Sequence, residues 1–326
     1  MAHSQHQLEA PGSSSYILGV NTAQTPINSG YGFTSTAEEI ARGHDLKGKT
    51  IAITGGHSGI GLETSRVLSN AGARVIVGAR DFQKAQTALR QLTDVEAIPL
   101  DLSDPGSIDR FAAQLPKLDV LINNAGIMAA PLTRDGRGYE LQFATNHLGH
   151  FQLTLRLADR LQNARVVTLT SAGHRFAPVD LQDPNFERRA YDKWAAYGQS
   201  KTANSLFSLE LDRRGQKRGL RAFAVHPGRI LATDLLRHMS ADEVAAARNS
   251  TGIKTIEQGA ATTIWCALSP QLEGRGGVYC ADCDIAPVVE DVERNLAGVL
   301  PWAIDESAAR ALWTLSEQLT QLEWAS

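Results

Sequence analysis

Seven short runs rich in β-branched residues recur along this chain, at Thr50 to Thr54, Arg74 to Ala79, Val95 to Leu100, Leu118 to Ile122, Arg165 to Thr170, Arg221 to His226 and Gly277 to Cys280, with helix-length amphipathic segments between them. That alternation constrains the fold more than any other feature. Strand, helix and strand in succession make a βαβ unit, which pairs its strands in parallel and needs helices to cover the sheet. Crossovers are right-handed, so the expected architecture is α/β: a single Rossmann-type doubly wound parallel sheet of about seven strands with helices on both faces. In 326 residues, 43% apolar and 21% charged, there is material for one such core.

Residues 1 to about 33 are rich in Ser, Gln, Asn, Gly and Pro without periodicity and read as an extended arm laid over the surface. Ser35 and Glu38 have capping-box spacing for a short helix ending near Gly43, and the fold proper begins near Leu46. The expected division is 1–45 for arm and helix and 46–326 for the domain, whose last helix runs from Asp305 to Leu319. A net charge of -3 with no basic block argues against a nucleic-acid partner. No stretch approaches the roughly 18 apolar residues of a membrane span, and no signal peptide is evident. Three cysteines, Cys266, Cys280 and Cys283, make no disulfide framework and suit a reducing, cytoplasmic setting.

The first strand runs straight into Thr54-Gly55-Gly56-His57-Ser58-Gly59-Ile60-Gly61, and a helix follows. Glycines at 55, 59 and 61 permit positive φ and close backbone approach to a pyrophosphate, while the helix N-terminus supplies donors and partial positive charge. A glycine cluster alone also suits an ordinary tight turn; its place between strand and helix favours the dinucleotide reading.

The spacing Thr-Gly-x3-Gly-x-Gly resembles that of the short-chain dehydrogenase/reductases, not that of the extended nucleotide-sugar epimerases. The resemblance continues through Asp101, the run Asn123-Asn124-Ala125-Gly126, Asn146, Ser171, Tyr197, Lys201 and Pro227-Gly228, covering about residues 46 to 235. The wording Tyr197-Gly198-Gln199-Ser200-Lys201-Thr202-Ala203-Asn204, after a long Ser-to-Tyr gap, is similar to the retinol dehydrogenase and protochlorophyllide reductase-like branch. The resemblance implies a dinucleotide-binding catalytic domain that moves a hydride between nicotinamide and a carbonyl or alcohol carbon.

Tyr197 and Lys201 lie four apart on a helix and share a face. A nearby ammonium and an oxidised nicotinamide would stabilise the phenolate and lower the phenol pKa from its free value near 10. Ser171, directly after the fifth run, could stabilise alkoxide charge on the substrate oxygen. By resemblance, Lys201 also holds the ribose hydroxyls and Asn146 holds a water that relays protons from Lys201. Taken singly these residues are commonplace on helices and turns; as a set beside the glycine loop they read as catalytic.

The second run ends Val77-Gly78-Ala79-Arg80. An NAD-selective site places a carboxylate here; Ala79 followed by the Arg80 guanidinium suits a 2'-phosphate, so NADP(H) is expected. Asp81 is the counter-evidence, although its place suits an N-cap. The remaining cofactor contacts expected are His57, Ser58, Ile60, Asp101, Leu102, Asn124, Ala125, Gly126, Pro227, Gly228 and Ile230. Asp101 reads equally as an adenine contact or a turn former, and Asn124 as a structural pin. The family's Thr after the Pro-Gly is displaced here to Thr233, behind Ala232, which leaves one contact uncertain.

His57, His147, His150, His174 and His226 lack metal-ligand spacing and read as ordinary residues, and Cys280-x2-Cys283 as two semi-buried thiols, so no metal is assigned. Two segments border the substrate space: the 25 residues between Ser171 and Tyr197, with His174, Phe176, Pro178, Leu181, Phe186 and Trp194, and the stretch with Ile230, Leu231, Leu235, Leu236 and Met239 before the helix-prone Ala241 to Arg248. Their apolar content favours bulky apolar ketones or aldehydes, and covering the sheet is the alternative. The rival to an enzyme is a non-catalytic NADP(H)-sensing protein. A homo-oligomer joined through the helices carrying Asn146 and Tyr197 is open, as is their cover by the N-terminal arm.

Overall fold

The computed structural model describes residues 23–290 and 296–324. One sheet runs in the order β3-β2-β1-β4-β5-β6-β7-β8. Its strands are β1 (Thr50–Thr54), β2 (Arg74–Ala79), β3 (Val95–Pro99), β4 (Val120–Asn123), β5 (Arg165–Leu169), β6 (Arg221–His226), β7 (Val278–Ala281) and β8 (Asp284–Ile285). Neighbours from β3 across to β7 pair in parallel, while β8 returns antiparallel on β7. The seven runs fall on the seven parallel strands. The eighth, not expected, follows a turn in which Asp282 and Cys283 take φ of 50° and 58°. A two-residue strand carries no alternation to read.

The helices are α1 (Ala37–Ala41), α2 (Gly59–Asn70), α3 (Phe82–Leu89), α4 (Pro105–Gln114), α5 (Leu141–Phe143), α6 (Gly149–Arg156), α7 (Lys193–Gly215), α8 (Ala241–Arg248), α9 (Ile256–Leu268) and α10 (Glu306–Thr320). Among the described residues no helix is long and apolar enough to cross a membrane. Successive strand residues face opposite sides: Ile51 and Ile53 pack with Val67 of α2 and Ile264 of α9, whereas Ala52 packs with Phe111 of α4, Phe151 of α6 and Phe207 of α7. Both faces are covered, so the strands read as nearly continuous apolar runs.

The α1 capping box uses Thr36 and Glu39, one residue beyond the expected Ser35 and Glu38. The two spacings overlap, and partners elsewhere decide: Glu38 reaches Arg66, and Ser35 Oγ accepts the Gly32 N–H. The described part of the arm lies along the sheet edge, where the Gln24 amide donates to the Tyr279 and Ala286 carbonyls and accepts the Tyr279 N–H. Residues 1–22 lie outside the described residues. α10 packs on the outer face of α7. Trp313 stacks on Phe207 with centroids 5.9 Å apart, and Ser316 Oγ meets His147 Nε2 at 2.8 Å. Truncating so deeply buried an indole costs on the order of 3–5 kcal/mol.

Candidate active site

β1 lies between β2 and β4, so the winding direction reverses there and a crevice opens beyond the strands' carboxyl ends. A cleft of about 860 Å³ fills this place. Every expected cofactor contact lines it, from the glycine turn and Arg80 through Asp101 and Leu102 to the Asn124–Gly126 run, Pro227, Gly228 and Ile230, together with Ser171, Tyr197 and Lys201. Asn146 alone of the expected site residues stands behind the wall, fully buried.

The glycine turn is built as its spacing requires. Gly59 takes φ +51°, and a Cβ on Gly61 would strike the Gly55 carbonyl and the Asn124 amide. Ser58 caps α2 without a side-chain hydrogen bond, and the first turn has no acidic residue, so the N–H groups of a twelve-residue helix are aimed at the cleft. Two buried polar atoms beside this turn have no partner among the described residues: His57 Nδ1 and the hydroxyl of Thr233, whose methyl would lie 3.2 Å from a Cβ on Gly59. An anionic ligand with hydrogen-bonding oxygens fits such a cradle. The displaced Thr233 therefore does reach the glycine turn.

At the rim, Asp81 caps α3 by accepting the Lys84 N–H, so its carboxylate is committed to the helix, while Arg80 is exposed on the cleft edge. Asp101 accepts from Ser103 N and Oγ at 2.9 and 2.6 Å, the turn-forming role. The Asn124 amide donates to the Thr54 and Gly55 carbonyls and pins β4 to β1.

α7 carries Tyr197 and Lys201 to the cleft's inner end, with Lys201 Nζ 5.7 Å from the Tyr197 ring centroid. Lys201 Nζ donates to the Leu169 carbonyl at 3.1 Å. Burial pushes the Tyr197 phenol up to about 12, opposed by its hydrogen bond with Ser171, and pushes the Lys201 ammonium down to about 8. In the protein alone burial therefore outweighs the Ser171 hydrogen bond and the phenol stays protonated at neutral pH; the expected lowering belongs to a site that also holds oxidised nicotinamide. The Asn146 side chain accepts the Ile127 N–H and donates to the Ile127 carbonyl and to Ser200 Oγ. Both its amide protons are spent on the protein.

Two histidines that read as ordinary hold the Ser171 turn. His174 Nε2 accepts the Leu300 N–H, leaving Nδ1–H to donate to the Ser171 carbonyl at 2.8 Å. His226 Nδ1 accepts the Ala172 N–H at 3.2 Å. Burial lowers them to about 4 and about 3, so both stay neutral.

Of the six named residues of the first substrate segment, Phe176 and Trp194 line the cleft. His174 is buried beneath the turn, Pro178 is exposed, Leu181 joins the core under α7, and Phe186 packs on Tyr191. All five named side chains of the second segment line the cleft, joined by Leu296. The Trp194 indole and Lys193 ammonium both reach Glu243 on α8, at 3.0 and 2.7 Å, tying the two segments together. Cys280 and Cys283 are fully buried rather than semi-buried, as is Cys266, and Cys283 lies 3.8 Å from the Thr262 hydroxyl.

Comparison with known proteins agrees with this geometry. The short chain dehydrogenase family model matches residues 49–244. A "Probable oxidoreductase" of Streptomyces lividans is 43% identical over 82% of this chain and 96% of its own. Human retinol dehydrogenase 12 is 38% identical over 86% of this chain and 88% of its own. Among solved structures, an uncharacterised protein from Mycobacterium Paratuberculosis superposes with TM-score 0.73 at 37% identity, covering 90% of this chain and all 100% of that one. Pseudomonas aeruginosa RhlG, in an NADP active-site complex, superposes with TM-score 0.58 at 26% identity over 73% of this chain and 95% of its own.

Proposed function

This chain belongs to the short-chain dehydrogenase/reductase family, in its retinol dehydrogenase-like branch, and from that premise we propose that it is an NADP(H)-dependent reductase of apolar ketones or aldehydes, working in the cytoplasm. Family membership makes it an oxidoreductase acting on CH-OH or C=O with a nicotinamide cofactor. The observation that carries the reading further is the meeting of Ser171, Tyr197 and Lys201 at the inner end of the cleft that begins at the glycine turn.

The uncapped N-terminus of α2 and the Thr233 hydroxyl would hold the diphosphate, Arg80 the 2'-phosphate, and Lys201 the ribose hydroxyls. Bound there, nicotinamide supplies or accepts the hydride. The protein's own part is proton and charge. Ser171 donates to the substrate oxygen, and Tyr197, protonated at neutral pH, gives that oxygen its proton as charge develops. Lys201 offsets the phenolate that remains. Arg80, with no carboxylate at Ala79, supports NADP over NAD, as does the likeness to RhlG with its NADP complex. Phe176, Trp194, Ile230, Leu231 and Met239 support an apolar substrate, each further buried methylene adding about 0.8 kcal/mol.

The test is a homologous series of ketones and aldehydes with NADPH consumption as readout, on wild type and Tyr197→Phe. The expected outcome is kcat/KM rising with apolar size, and ~10²- to 10⁴-fold lower turnover in the variant with NADPH binding kept. NADPH binding with no turnover on any carbonyl or alcohol would favour a sensor; a flat series would mean that the apolar segments do not line the substrate site.

A further inference from the structure

His150 is 1% exposed, on α6, and the proton transfer described above does not use it. Its hydrogen bonds are directional. Thr54 Oγ accepts two backbone N–H groups, from Asn124 at 3.0 Å and Ala125 at 2.9 Å. With both lone pairs engaged, its own hydrogen goes to the remaining neighbour, His150 Nε2 at 2.8 Å. Nε2 is then an acceptor, and the ring proton sits on Nδ1, 2.9 Å from the Asn146 carbonyl.

The chain continues beyond Asn146. That residue sits in the π-helical turn Ala144–Leu148, where the helical ladder is displaced and its carbonyl meets a side chain. Its amide donates to Ser200 Oγ at 2.9 Å, and Ser200 in turn donates to the Tyr197 carbonyl at 2.7 Å. Its Oδ1 lies 3.1 Å from where a Cβ on Gly126 would stand, with Lys201 Nζ 3.5 Å from the same point. One imidazole therefore joins the end of β1 and the Asn124–Gly126 turn, which border the cofactor cleft, to the turn that braces Tyr197.

We propose that His150, as the neutral Nδ1–H tautomer, is a positioning residue for catalysis: it locks the Asn146 turn to the glycine turn and thereby sets Tyr197 and Lys201 against the cofactor. The inference rests on the enzymatic reading above. A charged imidazole would turn an N–H toward the Thr54 hydrogen, which could rotate away only by releasing Asn124 or Ala125. Burial holds the ring down at about 4, and Lys201 opposes the charge as well, while the hydrogen bond to the Asn146 carbonyl favours it.

Two measurements test the idea. In wild type labelled with ¹⁵N-histidine, with the His150 signals identified by their loss in His150→Gln, the Nδ1–H tautomer should persist unchanged from about pH 8 to about pH 5.5. An Nε2–H tautomer, or titration near the free value, overturns the proposal without reference to activity. In kinetics, His150→Leu should lower kcat roughly 10- to 100-fold while KM for NADPH moves less than about threefold. In an Asn146→Ala background the same substitution should cost nothing more. Multiplying losses, or a loss confined to KM, would mean that His150 does not act through Asn146. If His150→Leu does not fold, the tautomer decides; if wild type turns over no carbonyl, the enzymatic reading fails while the tautomer result stands on its own.

Discussion

Gly173, two residues past Ser171, has an ordinary φ, so alanine is sterically admissible to the backbone there. The side chain is another matter, because a Cβ would lie 2.6 Å from Tyr197 Cε1, 3.0 Å from Cδ1 and 3.3 Å from Ser171 Oγ. Ordinary contact begins at 3.4 Å, so the ring must retreat by roughly 0.8 Å, and at 3% exposure it has little room to do so. A misplacement of about 1 Å at reacting groups costs on the order of 10²-fold. Gly173→Ala should therefore lower kcat by about 30- to 100-fold, equivalent to ~2–3 kcal/mol of barrier. Overpacking should also remove ~1–3 kcal/mol of stability. The NADPH dissociation constant, read by fluorescence titration, should hardly move. Gly136→Ala is the control: its Cβ would meet nothing within 4 Å, so kcat should be unchanged. A Gly173→Ala enzyme within about twofold of wild type kcat would refute the idea that the Tyr197 hydroxyl must sit where it does.

Arg80→Leu should weaken NADPH relative to NADH by about 1.5–3 kcal/mol, the worth of a hydrogen bond to a charged group, and equal losses in titrations of both cofactors would show that Arg80 does not read the 2'-phosphate. Stability should fall in acid, because four buried histidines, His147 and His226 lowered to about 3 and His150 and His174 to about 4, stay neutral while the unfolded chain titrates near 6.5. The unfolded state then takes up the protons, so stability is lost as pH drops from about 6.5 toward 4, by up to ~5 kcal/mol per pH unit near pH 5; urea melts showing no loss between pH 6.5 and 5 would contradict it.

The inner parallel strands were legible because each is buried on both faces and so carries a β-branched run bounded by turns, and the edge strand β3, with no residue buried, because it falls in the same strand-helix alternation. Where neither signal is present, legibility ends. β8 is made by two positive-φ residues after Ala281, and nothing in Asp284–Ile285 marks a strand. Overlapping Ser35/Glu38 and Thr36/Glu39 spacings are equivalent until Arg66 claims Glu38. That α10 covers α7 depends on Trp313 finding Phe207 more than a hundred residues away, which an amphipathic pattern announces without naming its target.

The same division holds in the site. Groups that line the cleft, from Gly55 to Lys201, sit in motifs because the proposed chemistry dictates their type and spacing. Groups that hold those groups do not. His150, His174 and His226 lack metal spacing and read as ordinary, yet each has one tautomer imposed by partners 96, 126 or 54 residues away in sequence. The phenol pKa has a related lesson: the Tyr197 and Lys201 spacing is written in the sequence, but the burial that raises the phenol in the protein alone is a property of the packed fold. The proposed catalysis thus draws on two kinds of residue. Those that touch the reaction are constrained by chemistry, and those that fix their geometry are constrained only by reach and by a hydrogen bond of the right polarity. The second kind emerges only when donors and acceptors are counted around every buried polar atom. That count makes Thr54, saturated by two N–H groups, the reason His150 must accept on one side and donate on the other.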